Sequence, residues 1–174
     1  MRPISAVVLL LVAHAATASA QPAGDVRVPP IELTTAFSYD VQRAGTADLP
    51  GGPGTIVAVA GNLDPHVAIA AQISESPRMR TVMAGARLTT GFFREGRGGP
   101  GRFFAQWLAG SRRGGTAGDG AAFQAGIGAD VIVVPRGLSL HWGLDYLFTP
   151  GARQDFAGAR FCVGLVAGPH VKRA

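Results

Sequence analysis

The sequence is poor in cysteine, in charge and in long apolar runs. One cysteine among 174 residues excludes a scaffold of intrachain disulfides. No stretch after the N-terminus approaches 18 consecutive apolar residues, which excludes a polytopic helical membrane protein. The 25 glycines and 12 prolines disfavour a helical bundle, and 47% hydrophobic against 16% charged residues argues against disorder. A single all-β domain is the remaining interpretation at this length.

The first twenty residues have the pattern of a secretory signal peptide. Arg2 provides a weakly positive start, Ile4 to Ala13 is apolar, and Ala18-Ser19-Ala20 is a small-x-small cleavage pattern. The predicted organisation is therefore a signal peptide at 1–20, a flexible lead-in at 21–30, a β-barrel domain at 31–167 and a C-terminal tail at 168–174.

The basic residues are dispersed rather than gathered into one surface. Sixteen arginine and lysine residues outnumber eleven acids, but they are spread over turns and loops without interleaved aromatic residues. No nucleic-acid partner is therefore expected.

Eight segments alternate between apolar and polar or small residues, which is the period of a β-strand and not of a helix. In the clearest segment, Ile31, Leu33, Phe37, Tyr39 and Val41 share one face. The predicted strands cover 31–42, 55–62, 66–74, 81–92, 103–111, 122–134, 138–148 and 160–167. The glycine-rich or proline-rich segments between them, such as 43–54, 94–102 and 112–121, are predicted to be loops.

Strand number and length favour a barrel that crosses a membrane. Runs of about ten residues match tilted transmembrane strands. The first, third, fifth and seventh connections are mostly longer than the others in this assignment, as in outer-membrane barrels with short periplasmic turns and long outer loops. The predicted fold is all-β: an eight-stranded antiparallel up-and-down transmembrane β-barrel with both termini on the periplasmic side.

The two faces of the strands differ in a way that suits this fold. A water-facing sheet would carry many lysine and glutamate residues, whereas this chain has one lysine and few glutamates. Small residues with sparse polar groups suit a narrow barrel interior. The predicted polar network of the lumen is Glu32, Asp40, Gln72, Arg87, Gln106, Gln124, Asp130, His141, Asp145 and Arg160. Because four acids meet two bases in this set, Arg87 and Arg160 are each expected to be shared by carboxylates.

The opposite face carries aromatic residues, mostly near predicted strand ends. Membrane barrels place such residues at the two membrane–water interfaces. The predicted interfacial aromatics are Phe37, Tyr39, Phe92, Trp142, Tyr146, Phe148 and Phe161.

Several segments resemble a known family. They are ELTTAFSY at 32–39, TVMAGARLTTG at 81–91, FAQWLAG at 104–110, AFQAGIGADVIVVPRGLSLHWGLDYLF at 122–148 and RFCVGLV at 160–166. The chain resembles the small outer-membrane β-barrels of Gram-negative bacteria, the OmpA-type and opacity-porin-like outer membrane protein β-barrel domains. This resemblance implies location in the cell outer membrane, contact with its lipid and insertion by the barrel-assembly machinery. Family members typically end their last strand in a C-terminal aromatic, whereas here the chain continues to Ala174.

No catalytic or metal site is expected. Ser139, His141 and Asp145 lie on one face of one strand, but residues two apart have Cβ atoms about 7 Å apart, too far for a nucleophile and its base. His66, His141 and His170 are not spaced as metal ligands. The Gly126-x-Gly128 pair lies inside a strand with no helix after it, so a nucleotide site fails. No cofactor is expected.

The sequence therefore predicts an exported integral outer-membrane barrel. Its expected role is structural or associated with the envelope, without an open pore and without enzymatic activity, and the barrel is expected to be a monomer. Two other interpretations stay open: a soluble secreted β-barrel that binds a small apolar ligand, and a narrow porin-like channel.

Overall fold

The computed structural model describes residues 29–44, 47–77, 79–90, 100–114, 118–134, 137–150 and 156–168. It forms one closed barrel of eight strands in chain order, each antiparallel to its neighbours, with β8 pairing back to β1. The strands are β1 Ile31–Ala44, β2 Ala47–Asn62, β3 Val67–Ser76, β4 Met79–Thr89, β5 Gly101–Gly114, β6 Gly120–Val134, β7 Leu138–Thr149 and β8 Phe156–Ala167. The predicted all-β, up-and-down, eight-stranded fold is confirmed.

The predicted signal peptide at 1–20, most of the lead-in and residues 169–174 of the tail lie outside the described residues. No helix in the described part of the chain is long and apolar enough to cross a membrane.

Each strand presents one face to the barrel interior and the other to the outside. On β7, His141 and Asp145 are buried while the intervening Leu144 is exposed. Strand β2 has apolar residues on both faces, so its sequence left its orientation open. In the structure Ile56 is buried and Val57 is exposed. Because successive side chains of a strand alternate, closing the sheet sends every second residue into the lumen.

The strands are staggered around the barrel. The row of paired residues that starts at Glu32 returns to β1 at Gln42, ten residues further along the same strand. The row is Glu32, Ala60, Ala70, Gly85, Leu108, Gln124, Leu147, Gly158 and Gln42. Such a stagger tilts the strands, and an eight-stranded barrel is then just wide enough for side chains to fill it.

The predicted alternation of connection lengths is wrong. We call the end where β1 begins and β8 ends the terminal end, and the opposite end the distal end. The distal connections are short, at 45–46, 77–78, 115–119 and 150–155, whereas the longest connection is 90–100 at the terminal end. Several predicted loops were too long because their glycine-rich and proline-rich segments continue the strands.

Strand β2 shows why such a segment can pair. Residues 47–49 and 52–54 pair with β1, Pro50 lies at a register shift between them, and the pairing of β2 with β3 begins only at Thr55. This part of β2 is therefore an edge strand. Proline is tolerated on an edge because its missing N–H removes no hydrogen bond from a second neighbour.

Candidate functional site

The ten polar residues predicted for the lumen all lie on inward-facing strand positions. Nine of them are buried and Gln106 is half-buried. Their contacts divide the interior into three parts: an ionic cluster toward the terminal end, an amide-rich middle and a distal half that contains an apolar cluster.

Asp130 is the centre of the ionic cluster, which we define as Glu32, Arg87, Arg102, Asp130 and His141. Its Oδ2 atom accepts hydrogen bonds from Arg87 Nη2 at 2.8 Å and from Arg102 Nε at 2.9 Å. His141 Nδ1 lies 2.7 Å from Oδ1 of the same carboxylate. Asp130 is 0% exposed, so these charge-assisted contacts replace the water that a carboxylate otherwise requires.

Arg102 corrects the prediction made for this network. Its segment was assigned to a loop, but β5 begins at Gly101 and buries Arg102 in the lumen. Arg102 Nη2 donates to Glu32 Oε2 at 2.5 Å while the same guanidinium binds Asp130. The predicted count of two lumen bases is wrong, because Arg102 is a third and Arg112, buried at an inward-facing position near the distal end of β5, is a fourth. Extending the alternation of β5 back from Phe104 by two residues would have found Arg102.

The predicted sharing of the bases is also wrong. Arg87 makes its ion pair with Asp130, and Arg160 makes its ion pair with Asp40. The guanidinium that joins two carboxylates is that of Arg102.

Phe104 supports the ionic cluster from within the lumen. The guanidinium carbon of Arg87 lies 3.9 Å from the centre of its ring, a cation–π distance. The His141 ring stacks on it, with centroids 5.1 Å apart and planes at 9°. Gly128 lies where a Cβ would overlap the Phe104 ring, so a glycine is required for this packing.

The middle of the lumen contains a buried carboxylate with amide partners. Gln106 Nε2 donates to Asp145 Oδ1 at 3.1 Å, and Gln72 Nε2 donates to Gln124 Oε1 at 3.2 Å. Within the described ranges Asp145 has no ion pair with an arginine or a lysine. A cavity of about 20 Å³ adjoins Asp145, Gln106 and Gln72. Because its lining includes polar side chains and its volume is that of about one water, an ordered water suits it.

The distal half of the lumen contains a cluster of apolar side chains, which we call the apolar plug: Met79, Met83, Leu108, Ala122 and Leu147. Polar side chains such as Arg112 and Thr149 are buried in the same half. Beside the apolar plug, Arg160 binds Asp40 through Nε at 2.6 Å and Nη2 at 3.2 Å. The hydroxyls of Ser74 and Thr81 lie 2.5 Å apart. Met79 was missed by sequence reasoning because the fourth strand was predicted to begin two residues too late.

The lumen does not bring together a catalytic triad from Ser139, His141 and Asp145. His141 contacts Asp130 on one side, and on the other its Nε2 atom lies 3.8 Å from Cys162 Sγ. This Asp–His–Cys series adjoins a space for about one water, which leaves no room for a substrate. No group of three or more potential metal ligands occurs in the described ranges.

Five of the seven predicted interfacial aromatics are exposed on the outer wall: Phe37, Tyr39, Trp142, Tyr146 and Phe161. Phe148 is partly exposed, and Phe92 lies outside the described residues. The outward orientation fits a lipid-facing surface, although Phe37 lies in the middle of β1 rather than at an end.

The geometry can be compared with known proteins. No family model matches the chain, and no curated protein matches it. Among solved structures, Neisserial surface protein A superposes with a TM-score of 0.61 at 9% identity, covering 80% of this chain and 97% of that one. The chain has the fold of a small outer-membrane β-barrel. The expectation of this fold, drawn from the resemblance of its segments, is confirmed.

Two further solved structures are similar at lower scores. Ail of Yersinia pestis has a TM-score of 0.46 at 9% identity, covering 80% of this chain and 99% of that one. The N-terminal β-barrel domain of OprF from Pseudomonas aeruginosa has a TM-score of 0.41 at 12% identity, covering 76% and 96%.

Proposed function

We propose that this chain is an integral β-barrel of the bacterial outer membrane, with a closed lumen and a structural or envelope-associated role. The observation that carries the proposal is the inverted distribution of polarity. Large apolar side chains such as Phe37, Leu144 and Leu165 are exposed on the outer wall, whereas ionised groups are buried inside. A soluble protein places these classes the other way round, while a lipid-facing barrel requires this arrangement.

The filled lumen favours a closed barrel over a narrow porin-like channel. The ionic cluster occupies the part near the terminal end and the apolar plug lies in the distal half. The cavity between them, beside Asp145, has a volume of about 20 Å³. Hydrated ions need a continuous path, and a space for about one water does not supply it.

The same features argue against a carrier of an apolar ligand and against an enzyme. An apolar ligand would have to enter a lumen lined by Arg87, Arg102 and Asp130, whose charges are already paired. An enzyme would need a substrate position beside His141 and Cys162, where space for about one water exists. Neither a carrier role nor catalysis is therefore part of the proposal.

The proposed partners are the outer-membrane lipid and, during insertion, the barrel-assembly machinery. We propose that the barrel is a monomer. Its support is the closure of the sheet, because β8 pairs with β1 over its length and leaves no free edge between the first and last strands.

The proposal is tested by reconstitution. The purified mature chain should require detergent or lipid for solubility, and it should migrate differently on gels before and after boiling once folded into vesicles. In planar bilayers it should show little or no steady conductance. A reproducible open channel would contradict the closed lumen, and a chain that folds in water without detergent would contradict the membrane location.

The conductance measurement has a matched control. Replacing Met83 and Leu108 by alanine should loosen the apolar plug but leave the ionic cluster intact. We therefore expect this double variant to stay non-conducting as well. Steady conductance of this variant would show that the ionic cluster does not close the lumen by itself.

A further inference from the structure

Two arginines face each other on the outer wall at the distal ends of β4 and β5. Arg80 pairs in register with Arg113, and both side chains are exposed. Residues directly opposite in an antiparallel pair have Cβ atoms about 4.5–5.5 Å apart. Like charges at this distance destabilise the pairing unless an anion lies between them.

The acids near these arginines only partly compensate them. Glu75 is the register neighbour of Arg80 on β3. Asp119 accepts a hydrogen bond from the backbone N–H of Gly114. Nevertheless, within the described part of the chain neither Arg80 nor Arg113 makes an ion pair or a side-chain hydrogen bond. Both guanidinium groups therefore retain their donors.

Arg80 and Arg113 lie at the edge of the apolar surface of the outer wall. On β5 the outward-facing positions below Arg113 are Ser111, Ala109, Trp107, Ala105 and Phe103. The ten residue steps from Phe103 to Arg113 span about 33 Å along the strand. At a tilt of about 45° this is about 23 Å along the barrel axis, close to the apolar band of roughly 25 Å in such barrels. The guanidinium groups thus lie at head-group height.

Directly below the two arginines the outer wall carries Ile73, Val82 and Ser111, and the next outward row consists of small residues. Ala84 on β4 pairs with Ala109 on β5 and with Ala71 on β3, and all three face outward. In contrast, Tyr39 on β1 pairs with Phe161 on β8, and both are exposed. An acyl chain can therefore lie close to the barrel below Arg80 and Arg113, with its head group against them.

We propose that Arg80 and Arg113 together bind the phosphate of an anionic lipid in the leaflet at the distal end. This inference rests on the proposed membrane location. Phosphate oxygens accept paired hydrogen bonds from planar guanidinium groups. The bound anion also removes the repulsion between the two arginines.

The test is a titration of the folded barrel in non-ionic detergent with dioleoyl phosphatidic acid, followed by native mass spectrometry. Dioleoyl phosphatidylcholine serves as the neutral-headgroup comparison. We expect one tightly bound phosphatidic acid in the wild type. Each of Arg80→Gln and Arg113→Gln should raise its Kd about fivefold, and the double variant should lose most of the preference. Arg43→Gln, which changes an exposed arginine at the distal end of β1, is the matched control and should bind like the wild type.

The outcomes separate this inference from the function on which it rests. A folded, detergent-dependent barrel without preference for phosphatidic acid, or an equal loss in the Arg43→Gln control, would overturn the lipid site alone. Displacement of the lipid by millimolar inorganic phosphate would overturn it in favour of a site for soluble phosphate. A chain that stays soluble without detergent would overturn the membrane location together with the site.

Discussion

The two halves of the lumen are filled by different physical means. Near the terminal end, Asp130 collects two arginines and a histidine, and Arg102 extends the network to Glu32 on the opposite strand. In the distal half, Met83, Leu108 and their apolar neighbours form a cluster, and an ion pair beside them joins Arg160 to Asp40. The same alternation of strand residues thus supports a charged filling and an apolar filling.

The difference shows where the stability of such a barrel resides. Lipid chains are as apolar as leucine, so the outer wall packs against lipid without needing any specific partner inside the bilayer. Specific stability must then come from strand pairing and from contacts inside the lumen. In the ionic cluster these contacts are directional and depend on every partner. In the apolar plug they depend on filled volume.

The largest expected effect is that of Asp130→Asn. The substitution keeps the side-chain shape but leaves Arg87 and Arg102 with Glu32 as their remaining carboxylate in the cluster. Loss of one partner from a buried ionic network costs about 3–5 kcal/mol. Urea unfolding of the barrel from lipid vesicles measures the free energy of unfolding of each variant. Asp145→Asn is the control, because Gln106 is its hydrogen-bond partner and no arginine makes an ion pair with it in the described ranges. Equal losses of unfolding free energy in the two variants would show that the ionic cluster is no more sensitive to such a change than the amide-rich middle of the lumen.

A smaller loss is expected for Leu108→Ala in the apolar plug. Leu108 is 3% exposed, and its truncation should leave a cavity at a cost of about 2–4 kcal/mol. Leu144→Ala, on the outer wall of β7, should cost less because lipid chains can fill the space. The same unfolding titration compares both variants. If Leu144→Ala proved as costly as Leu108→Ala, the inside and outside assignment of these strands would be refuted.

The smallest expected effect is the coupling between the two halves. Asp130 and Leu108 share no hydrogen-bond or ion-pair partner, so their losses should add to within about 0.5 kcal/mol in the double variant. Glu32→Ala combined with Arg102→Ala should instead deviate from additivity, because these residues bind each other. Strong coupling between Asp130 and Leu108 would mean that the lumen behaves as one unit.

Local sequence patterns predicted the strands and their orientation well. The alternation in 138–148, for example, placed His141 and Asp145 inward and Leu144 outward, as the structure has them. The same reasoning failed at strand ends. Arg102 and Met79 lie in segments where glycine, proline or arginine suggested a loop, and pairing with neighbouring strands overrides that local preference.

Local sequence patterns also failed to predict the lengths of the connections between strands. The segment 47–54 contains Pro50 and Pro53, yet most of it pairs with β1 because β3 does not extend beside it. Whether a proline is tolerated in a strand depends on which neighbours that strand has, and this is a property of the assembled sheet.

The sequence by itself determined the number of strands and, outside β2, the side on which each residue lies, because a period of two is a local property of the chain. Only the tertiary structure decided which inward residues meet. Glu32 and Arg102 are 70 residues apart, and Asp40 and Arg160 are 120 apart. The stagger of ten residues on closure brings such positions to one height, and no local pattern contains that stagger.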